Sequence, residues 1–219
     1  MDDFDFSKRF DYENKFFLSA TPDRLSKFLS RYEIYQKIIT LPGEIIECGV
    51  FKGNSFSQWT KIRGLLEPAH SRKIIGFDTF GAFPEAIFEG DQQAREDFIK
   101  AAGSKSIAAD DLRHILDVSG SGGNFELVEG NLFDTASTYL QDNSALKIAL
   151  LIVDVDLYEP TKHVLEMFYP SVVSGGIVLL DDFGAFEGAN KAVEEVLGAD
   201  AKLIRRLPIS YSMPFLVKP

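Results

Sequence analysis

The sequence predicts an α/β domain whose mostly parallel β-sheet is covered by helices on both faces. Strand-like runs alternate with helix-like runs along most of the 219 residues, and such alternation is typical of parallel sheets. The most apolar run, IALLIVD at residues 148–154, predicts a strand buried on both faces at the sheet centre. Two strand-like runs close the chain with no helix between them, so we expect a late β-hairpin.

The predicted strands are short runs of apolar and β-branched residues. They cover residues 44–50, 73–78, 125–129, 148–154, 177–182, 202–207 and 214–218. Pro208 and Pro214 should restrict the last two runs to the edges or ends of the sheet, because proline cannot donate a ladder hydrogen bond.

Helix signals stand between these runs. Thr21-Pro22 predicts a helix start, with proline at the first helical position, and Asn54 or Ser55 can cap the helix that follows the first strand. We therefore expect one domain over residues 1–219 that begins with a helical segment at 1–41.

The segment 81–124 breaks the alternation. It is long, polar and rich in glycine and serine. A long insertion in a compact domain is often a lid or a binding loop, although a simple surface excursion is the alternative.

Composition and charge disfavour several functions. The net charge of −10 argues against nucleic acid as a substrate, and the chain has no run of 18 or more apolar residues that could cross a membrane. Its acidic start does not resemble a secretory signal, and the single cysteine, Cys48, cannot form an internal disulfide. We expect a cytoplasmic protein without nucleic-acid or membrane partners.

The loop after the first predicted strand is the first candidate binding site. It reads ECGVFKGNS at residues 47–55, and Gly49 and Gly53 let the backbone turn tightly and approach a ligand closely. Phe51 breaks the dinucleotide pattern G-x-G-x-x-G. The second strand ends at Asp78, where an acid can accept hydrogen bonds from ribose hydroxyls or initiate a turn. Together these features favour an adenosine-containing cofactor.

Two later strands both end in paired carboxylates. Asp154 and Asp156 follow the central strand, and Asp181 and Asp182 follow the fifth. Like charges on one rim of a sheet raise each other's pKa unless something compensates for them. Oxygen ligands suit Mg²⁺, Mn²⁺ or Ca²⁺, so the pattern predicts a divalent-cation site, with helix caps and turns as the alternative.

With these residues in place, the chain resembles the macrocin and mycinamicin O-methyltransferases, which methylate deoxysugar hydroxyls of macrolide antibiotics, and their relatives in other sugar pathways. The resemblance runs from about residue 42 to residue 192. It is carried by ECGVFKGNS (47–55), FDTF-x-x-FPE (77–85), EGN (129–131), VDVDLYEPT (153–161) and YPSVVSGGIVLLDDF (169–183). The order and spacing of these pieces are more specific than any one of them.

The resemblance implies a Rossmann-like class I methyltransferase fold with a seven-stranded sheet and a reversed terminal strand, and S-adenosylmethionine as cofactor. It implies that Gly49 and Gly53 border the methionine part, that Asp78 binds the ribose, and that Gly130 and Asn131 lie near the adenine. Asn131 stands where relatives often carry aspartate. The cofactor residues implied are Glu47, Gly49, Gly53, Asn54, Ser55, Asp78, Thr79, Gly130, Asn131 and Asp154.

The resemblance also implies Mg²⁺, or another divalent cation, bound by Asp154, Asp181 and Asp182. The 27-residue separation between Asp154 and Asp181 resembles that of metal-dependent catechol-type methyltransferases. Asp156 is the rival of Asp154 as a ligand.

The implied reaction is direct methyl transfer to a hydroxyl. A bound cation can orient the acceptor and lower the pKa of its hydroxyl, while a general base removes the proton. Asp154 and His114 are the candidates for catalytic roles, and a solvated helix residue is the alternative interpretation of His114.

The acceptor remains open at this point. A sugar, free or attached to a nucleotide or natural product, stands first, and a catechol-like phenol stands second because it also offers two adjacent oxygens to a metal. A nucleotide-dependent dehydrogenase and a non-catalytic cofactor-binding protein are the rival classes. A homodimer or a higher homo-oligomer is the expected assembly, since most soluble oligomers are of this kind.

Overall fold

A computed structural model describes residues 5–68 and 70–219. These residues form a seven-stranded sheet, and its strands are β1 Glu44–Cys48, β2 Ile74–Asp78, β3 Phe125–Glu129, β4 Ile148–Val153, β5 Val172–Leu180, β6 Arg205–Leu207 and β7 Ser210–Val217. The strand order is β3-β2-β1-β4-β5-β7-β6. β4 lies at the centre and all of its residues are buried, as the sequence predicts.

The helices alternate with the strands over most of the chain. They are α1 Arg9–Ser19, α2 Pro22–Ile38, α3 Asn54–Leu66, α4 Gln92–Ala102, α5 Ala109–Val118, α6 Leu132–Asp142, α7 Tyr158–Phe168 and α8 Glu187–Leu197. Thr21 caps α2 and Pro22 opens it, as predicted. The first four residues of the predicted segment 1–41 lie outside the described residues. The insertion 81–124 contains α4 and α5.

Six strands run parallel and β7 is reversed, because it pairs antiparallel with both β5 and β6. The predicted terminal hairpin is therefore confirmed. The expectation that Pro214 lies at an edge or end is wrong, since β7 lies between β5 and β6. Pairing with β5 begins only at Phe215, and pairing with β6 is irregular between Arg205 and Leu207. Pro214 therefore lies where neither neighbouring strand needs a hydrogen bond from its backbone nitrogen.

Two apolar clusters cover the two faces of the sheet. One joins the sheet to α2, α3 and α5 and includes Ile34, Phe56, Trp59 and Leu112. The other joins it to α6, α7 and α8 and includes Tyr139, Leu165, Phe168 and Val193. Adjacent residues of one strand, such as Ile45 and Ile46, enter opposite clusters, as the two-residue period of a strand requires. None of the described helices is long and apolar enough to cross a membrane.

The strand order fixes where a ligand can bind. From β1 the chain winds outwards through β2 and β3, and then returns to place β4 on the other side of β1. Ligands of open α/β sheets bind beyond the carboxyl ends of the strands at such a reversal point. The loops after β1 and β4 therefore frame the expected site.

Candidate active site

A cavity of about 1240 Å³ opens at the carboxyl ends of the strands. The loops after β1, β2 and β4 line it together with α1, α2 and the insertion. Pockets for a single drug-sized ligand usually measure about 300–1,000 Å³. The cavity is therefore large enough for a cofactor and an acceptor side by side.

The loop after β1 depends on glycine at two places. Gly49 has a φ of 92°, and a Cβ there would stand 1.6 Å from the carbonyl oxygen of Asp154. Gly53 has a φ of 76° and precedes the first residue of α3. The close approach at Gly49 brings the end of β1 against the end of β4. Gly49, Asn54 and Ser55 line the cavity.

Asp78 organises the loops around it. One carboxylate oxygen accepts hydrogen bonds from the backbone N–H groups of Val50 (2.8 Å) and Phe51 (2.9 Å), and the other accepts one from Phe80 N–H (2.7 Å). The hydroxyl of the neighbouring Thr79 donates to the carbonyl of Ala82 (3.2 Å). Asp78 and Thr79 both line the cavity. Oδ2 of Asp78 already accepts two hydrogen bonds, whereas Oδ1 keeps acceptor capacity for a further donor.

Backbone strain is concentrated beside this cavity. Among the described residues, the non-glycine residues with positive φ are Phe51, Phe80 and Asp156, and each lies shortly after the end of β1, β2 or β4. Such conformations cost about 1–3 kcal/mol each and tend to cluster at functional sites. The strain is consistent with loops shaped for binding.

Gly130 and Asn131 lie on the same cavity wall, after β3. Gly130 has a φ of 143° and donates its N–H to the carbonyl of Asp78 (3.0 Å). The side chain of Asn131 caps α6 by accepting from Phe133 N–H (3.1 Å). The carboxamide oxygen of Asn131 is therefore used to cap the helix, while its NH₂ group can still donate to a ligand.

The structure brings three predicted carboxylates together. One ligand oxygen from each of Asp154, Asp181 and Asp182 lies within 4.8 Å of the others. Burial, followed by the charges of neighbouring carboxylates, raises the pKa of Asp154 and Asp182 well above the ordinary value. This set of oxygen donors with uncompensated charge fits a hard divalent cation.

Asp156 enters the cluster in a different way. Its backbone N–H donates to Asp182 Oδ2 at 2.8 Å, and it is not part of the carboxylate trio that, among the described residues, could hold a metal ion. Burial, and then the charge of Asp154, raises the pKa of Asp156 to about 7. The geometry favours Asp154 over Asp156 as the third ligand.

Lys27 is a site residue that the sequence did not reveal. It lies on α2, 154 residues before Asp181, and its Nζ is 2.9 Å from Asp181 Oδ2. Its ammonium offsets part of the negative charge of the cluster. The sequence carries no signal for this contact, because it depends on how α2 packs across the sheet.

His114 is not brought to the site. It is exposed on α5 and is absent from the described residues that line the cavity. The helix turns it away because Leu112 and Leu116 point into the core. The solvated interpretation of His114 fits this position better than a catalytic one.

The insertion is anchored to the sheet by a buried aspartate. Asp91 is fully buried and accepts hydrogen bonds from Tyr158 N–H (2.8 Å) and Gly188 N–H (2.9 Å), at the N-termini of α7 and α8. These helices follow the loops that carry the acidic cluster. A Cβ at Gly188 would stand 2.0 Å from the Asp91 carboxylate. The two hydrogen bonds to Asp91 therefore require glycine at position 188.

We expect Asp91→Ala to lower the free energy of unfolding by about 2–5 kcal/mol, because two buried N–H groups lose a charged partner. Chemical denaturation measures this effect. Asp97→Ala is the control, since Asp97 lies on α4 of the same insertion and is exposed; it should change stability by less than about 0.5 kcal/mol. Equal stability of the two variants would show that the hydrogen bonds of Asp91 do not stabilise the fold.

Glu47 is a fully buried acid near the end of β1. Burial raises its pKa from 4.5 to about 8, because it outweighs the opposite effects of the Ser55 hydroxyl and the Arg31 charge. The folded protein therefore holds a proton on Glu47 at pH values where the unfolded chain has released it.

The free energy of unfolding of the ligand-free protein should consequently fall as pH rises from about 5 to 8. One such carboxyl contributes a slope of up to about 1.4 kcal/mol per pH unit. Glu47→Gln should flatten this slope, whereas Glu194→Gln, at an exposed position of α8, should not. Melting curves across this pH range test the prediction, and an unchanged slope in Glu47→Gln would refute it.

The far side of the cavity is apolar. Its wall includes Phe16 and Phe17 of α1 and Phe28 and Leu29 of α2, which are all exposed. Phe98 of the insertion packs on Phe51 with ring centroids 5.4 Å apart. The cavity thus has a polar floor at the strand ends and an apolar rim above it.

Comparison with known proteins gives these features a family context. The macrocin O-methyltransferase family model, TylF, matches residues 23–203. The demethyldecarbamoylnovobiocin O-methyltransferase of Streptomyces niveus is 29% identical over an alignment of 170 residues, and the match covers 71% of this chain and 58% of that relative. The alignment thus spans less than two thirds of the relative's own length.

Solved structures agree on the fold. The calicheamicin methyltransferase CalS11 is 30% identical with a TM-score of 0.78, over 94% of this chain and 84% of that chain. Apo CalS11, described as a TDP-rhamnose 3′-O-methyltransferase, is 30% identical with a TM-score of 0.71, over 98% of this chain and 86% of that chain. The predicted seven-stranded methyltransferase fold is confirmed.

Proposed function

Because the chain belongs to the macrocin O-methyltransferase family, we propose that it transfers a methyl group from S-adenosylmethionine to a sugar hydroxyl with the help of a divalent cation. One observation carries this proposal. The glycine loop after β1 and the carboxylates Asp154 and Asp181 line the same cavity.

The residues present suit the cofactor. Asp78 Oδ1 offers an acceptor for a ribose hydroxyl, Gly49 lets the methionine part approach the backbone, and Gly130 with Asn131 forms a wall for the adenine. Asn54 and Ser55 complete the polar floor beside the loop, Glu47 is buried behind it, and Thr79 supports the turn after Asp78. S-adenosylmethionine bound there supplies an electrophilic methyl group.

The carboxylate cluster suits Mg²⁺ or a similar ion. Asp154, Asp181 and Asp182 would supply three oxygen donors to such an ion. A divalent cation held there would lower the pKa of an acceptor hydroxyl. Asp154 and Asp156 both face the cavity, and we assign proton acceptance to this pair rather than to His114.

The acceptor is proposed from the relatives and the cavity wall. CalS11 is described as acting on TDP-rhamnose, so a sugar, free or attached to a larger group, stands first. A phenol stands second, because the aromatic rim at Phe16 and Phe28 favours a flat apolar ring. We propose that the insertion acts as a lid. A homodimer and a cytoplasmic location stay predictions.

Positioning should provide much of the rate. The transferring methyl carries a positive charge that disperses in the transition state, and holding donor and acceptor in line replaces a bimolecular encounter. The strained loops around Asp78 and Asp156 hold the floor in one shape.

Calorimetric titration with S-adenosylhomocysteine, after chelation and again with Mg²⁺, tests the cofactor assignment first. We expect saturable one-site binding. Methyl transfer to nucleotide-linked sugars, glycosides and catechols then tests the acceptor, with and without a chelator. Absence of binding in both conditions would refute the methyltransferase proposal, and chelator-resistant turnover would refute the role of the metal.

A further inference from the structure

Lys27 places a positive charge directly against the acidic cluster. Its Nζ lies 2.9 Å from Asp181 Oδ2 and 3.3 Å from Asp181 Oδ1. The two side chains are 21% and 14% exposed, respectively, and a partly buried pair is screened by salt less than a surface pair. The ammonium therefore engages both oxygens of a carboxylate that belongs to the trio of Asp154, Asp181 and Asp182.

This ammonium is the counter-charge that the chain itself provides. Among the ion pairs formed within residues 5–68 and 70–219, only the pair of Lys27 with Asp181 involves a member of the trio. Its influence also reaches Asp154: burial, and then the charges of Asp181 and Asp182, raise the pKa of Asp154, and the charge of Lys27 opposes them. Lys27 thus acts on more than the one carboxylate that it contacts.

The packing of α2 holds Lys27 in this place. Later positions of the helix, among them Ile34 and Ile38, are fully buried and share an apolar cluster with Phe215 of β7. The residues before Leu25 are exposed. Lys27 therefore stands where α2 leaves the core at the cavity wall, and a helix rather than a loop fixes its backbone.

A divalent cation needs the oxygens that the ammonium holds. Because Nζ lies within 3.3 Å of both oxygens of Asp181, a cation that binds either oxygen comes close to the ammonium, and like charges repel. Resting on the metal part of the proposed function, we propose that Lys27 competes with the divalent cation for Asp181. Lys27 stabilises the metal-free cluster and thereby lowers the affinity of the site for the metal.

Calorimetric titration with Mn²⁺ measures this competition without any turnover. Lys27→Met removes the ammonium and should tighten Mn²⁺ binding about 10-fold, because a repelling charge disappears from a partly buried site. Lys27→Arg keeps the charge and should bind Mn²⁺ as weakly as wild type does. Lys27→Gln replaces Lys27→Met if that variant does not fold, since the amide can still donate to Asp181 without a charge.

Melting temperatures give a second readout of the opposite sign. In the presence of a chelator, Lys27→Met should melt about 2–4 °C below wild type, because Asp181 loses its partner beside two further carboxylates. The same excess of Mn²⁺ should raise the melting temperature of Lys27→Met more than that of wild type, since tighter binding stabilises the folded state more. A lysine that only packed α2 on the sheet would lower the melting temperature without tightening the metal.

Arg24→Met is the matched control. Arg24 lies three residues before Lys27 on the same helix, lines the same cavity and is exposed. None of the ion pairs in the described part of the chain joins it to the trio. Its loss removes one positive charge from α2 and should change neither the Mn²⁺ affinity nor the melting temperature with chelator.

The outcomes separate the inference from the proposed function. If Lys27→Met binds Mn²⁺ as wild type does, the competition is wrong while the metal assignment stands. Weaker binding by Lys27→Met would mean that Lys27 orients Asp181 for the metal, and it would also overturn the inference. If neither wild type nor Lys27→Met binds Mn²⁺, the metal part of the proposed function fails and the inference fails with it.

Discussion

Replacing Asp182 with asparagine should abolish metal-dependent turnover and leave the fold intact. The substitution removes one of three clustered oxygen donors. Loss of the Lewis acid should raise the activation free energy by several kcal/mol, which corresponds to a rate loss on the order of 1,000-fold. The asparagine oxygen can still accept the N–H of Asp156, which Asp182 now accepts at 2.8 Å. The metal-free variant should melt higher than wild type, because a buried carboxyl with a raised pKa disappears.

The measurements are methyl transfer, Mn²⁺ affinity by calorimetry and the melting temperature without metal. Asp154→Asn and Asp156→Asn form the matched pair, since they neutralise two carboxylates of one loop. Only Asp154→Asn should weaken Mn²⁺ binding strongly, because Asp154 belongs to the trio. Full activity of Asp182→Asn, or unchanged Mn²⁺ affinity, would remove the metal assignment.

The sheet was readable from the sequence because its strands are short apolar runs with clear ends. β3 has the predicted bounds, and β1, β2 and β4 differ from the prediction only at their ends. β5 begins at Val172, five residues before the predicted start. Gly175, with a φ of 80°, and Gly176 hid this part of the strand, because glycine usually marks a break.

The acidic trio was also predictable, because parallel strands bring their carboxyl ends to one edge. Residues that reach the site from outside the sheet were not. Lys27 comes from α2, and Asp91 comes from the insertion. Only the packing of these elements over the strand ends gives the two side chains a role.

His114 illustrates the reverse error. A histidine in a candidate lid is chemically attractive as a base, but its position on α5 decides whether it can reach the site. The apolar positions Leu112 and Leu116 define that face, and they direct His114 to solvent. A helical projection of α5 would have given the same warning.

Gly49→Ala should disrupt the cofactor site and the metal site together. The new Cβ would overlap the carbonyl oxygen of Asp154, at 1.6 Å, and this neighbour is backbone rather than a flexible side chain. The Asp154 N–H also donates to the carbonyl of Cys48 at 3.0 Å, so the two strand ends cannot separate without losing a bond. We expect a destabilisation of about 3–5 kcal/mol and a loss of S-adenosylhomocysteine and Mn²⁺ affinity on the order of 100-fold, as displacements of about 1 Å can cause in a reaction site.

Gly103→Ala separates this clash from backbone strain alone. Gly103 has a φ of 88°, close to that of Gly49, but a Cβ there would meet no described atom within 4 Å. With its ψ of 170°, Gly103 has a sparsely populated backbone conformation, so the alanine should cost about 1–3 kcal/mol and should not change either affinity. If Gly49→Ala behaved like Gly103→Ala in denaturation and in both titrations, the contact between the β1 and β4 loops would not be needed for binding of either ligand. If only the Gly49 variant loses both ligands, the cofactor loop and the metal loop act as one unit, because a single backbone contact at the centre of the sheet sets the position of both.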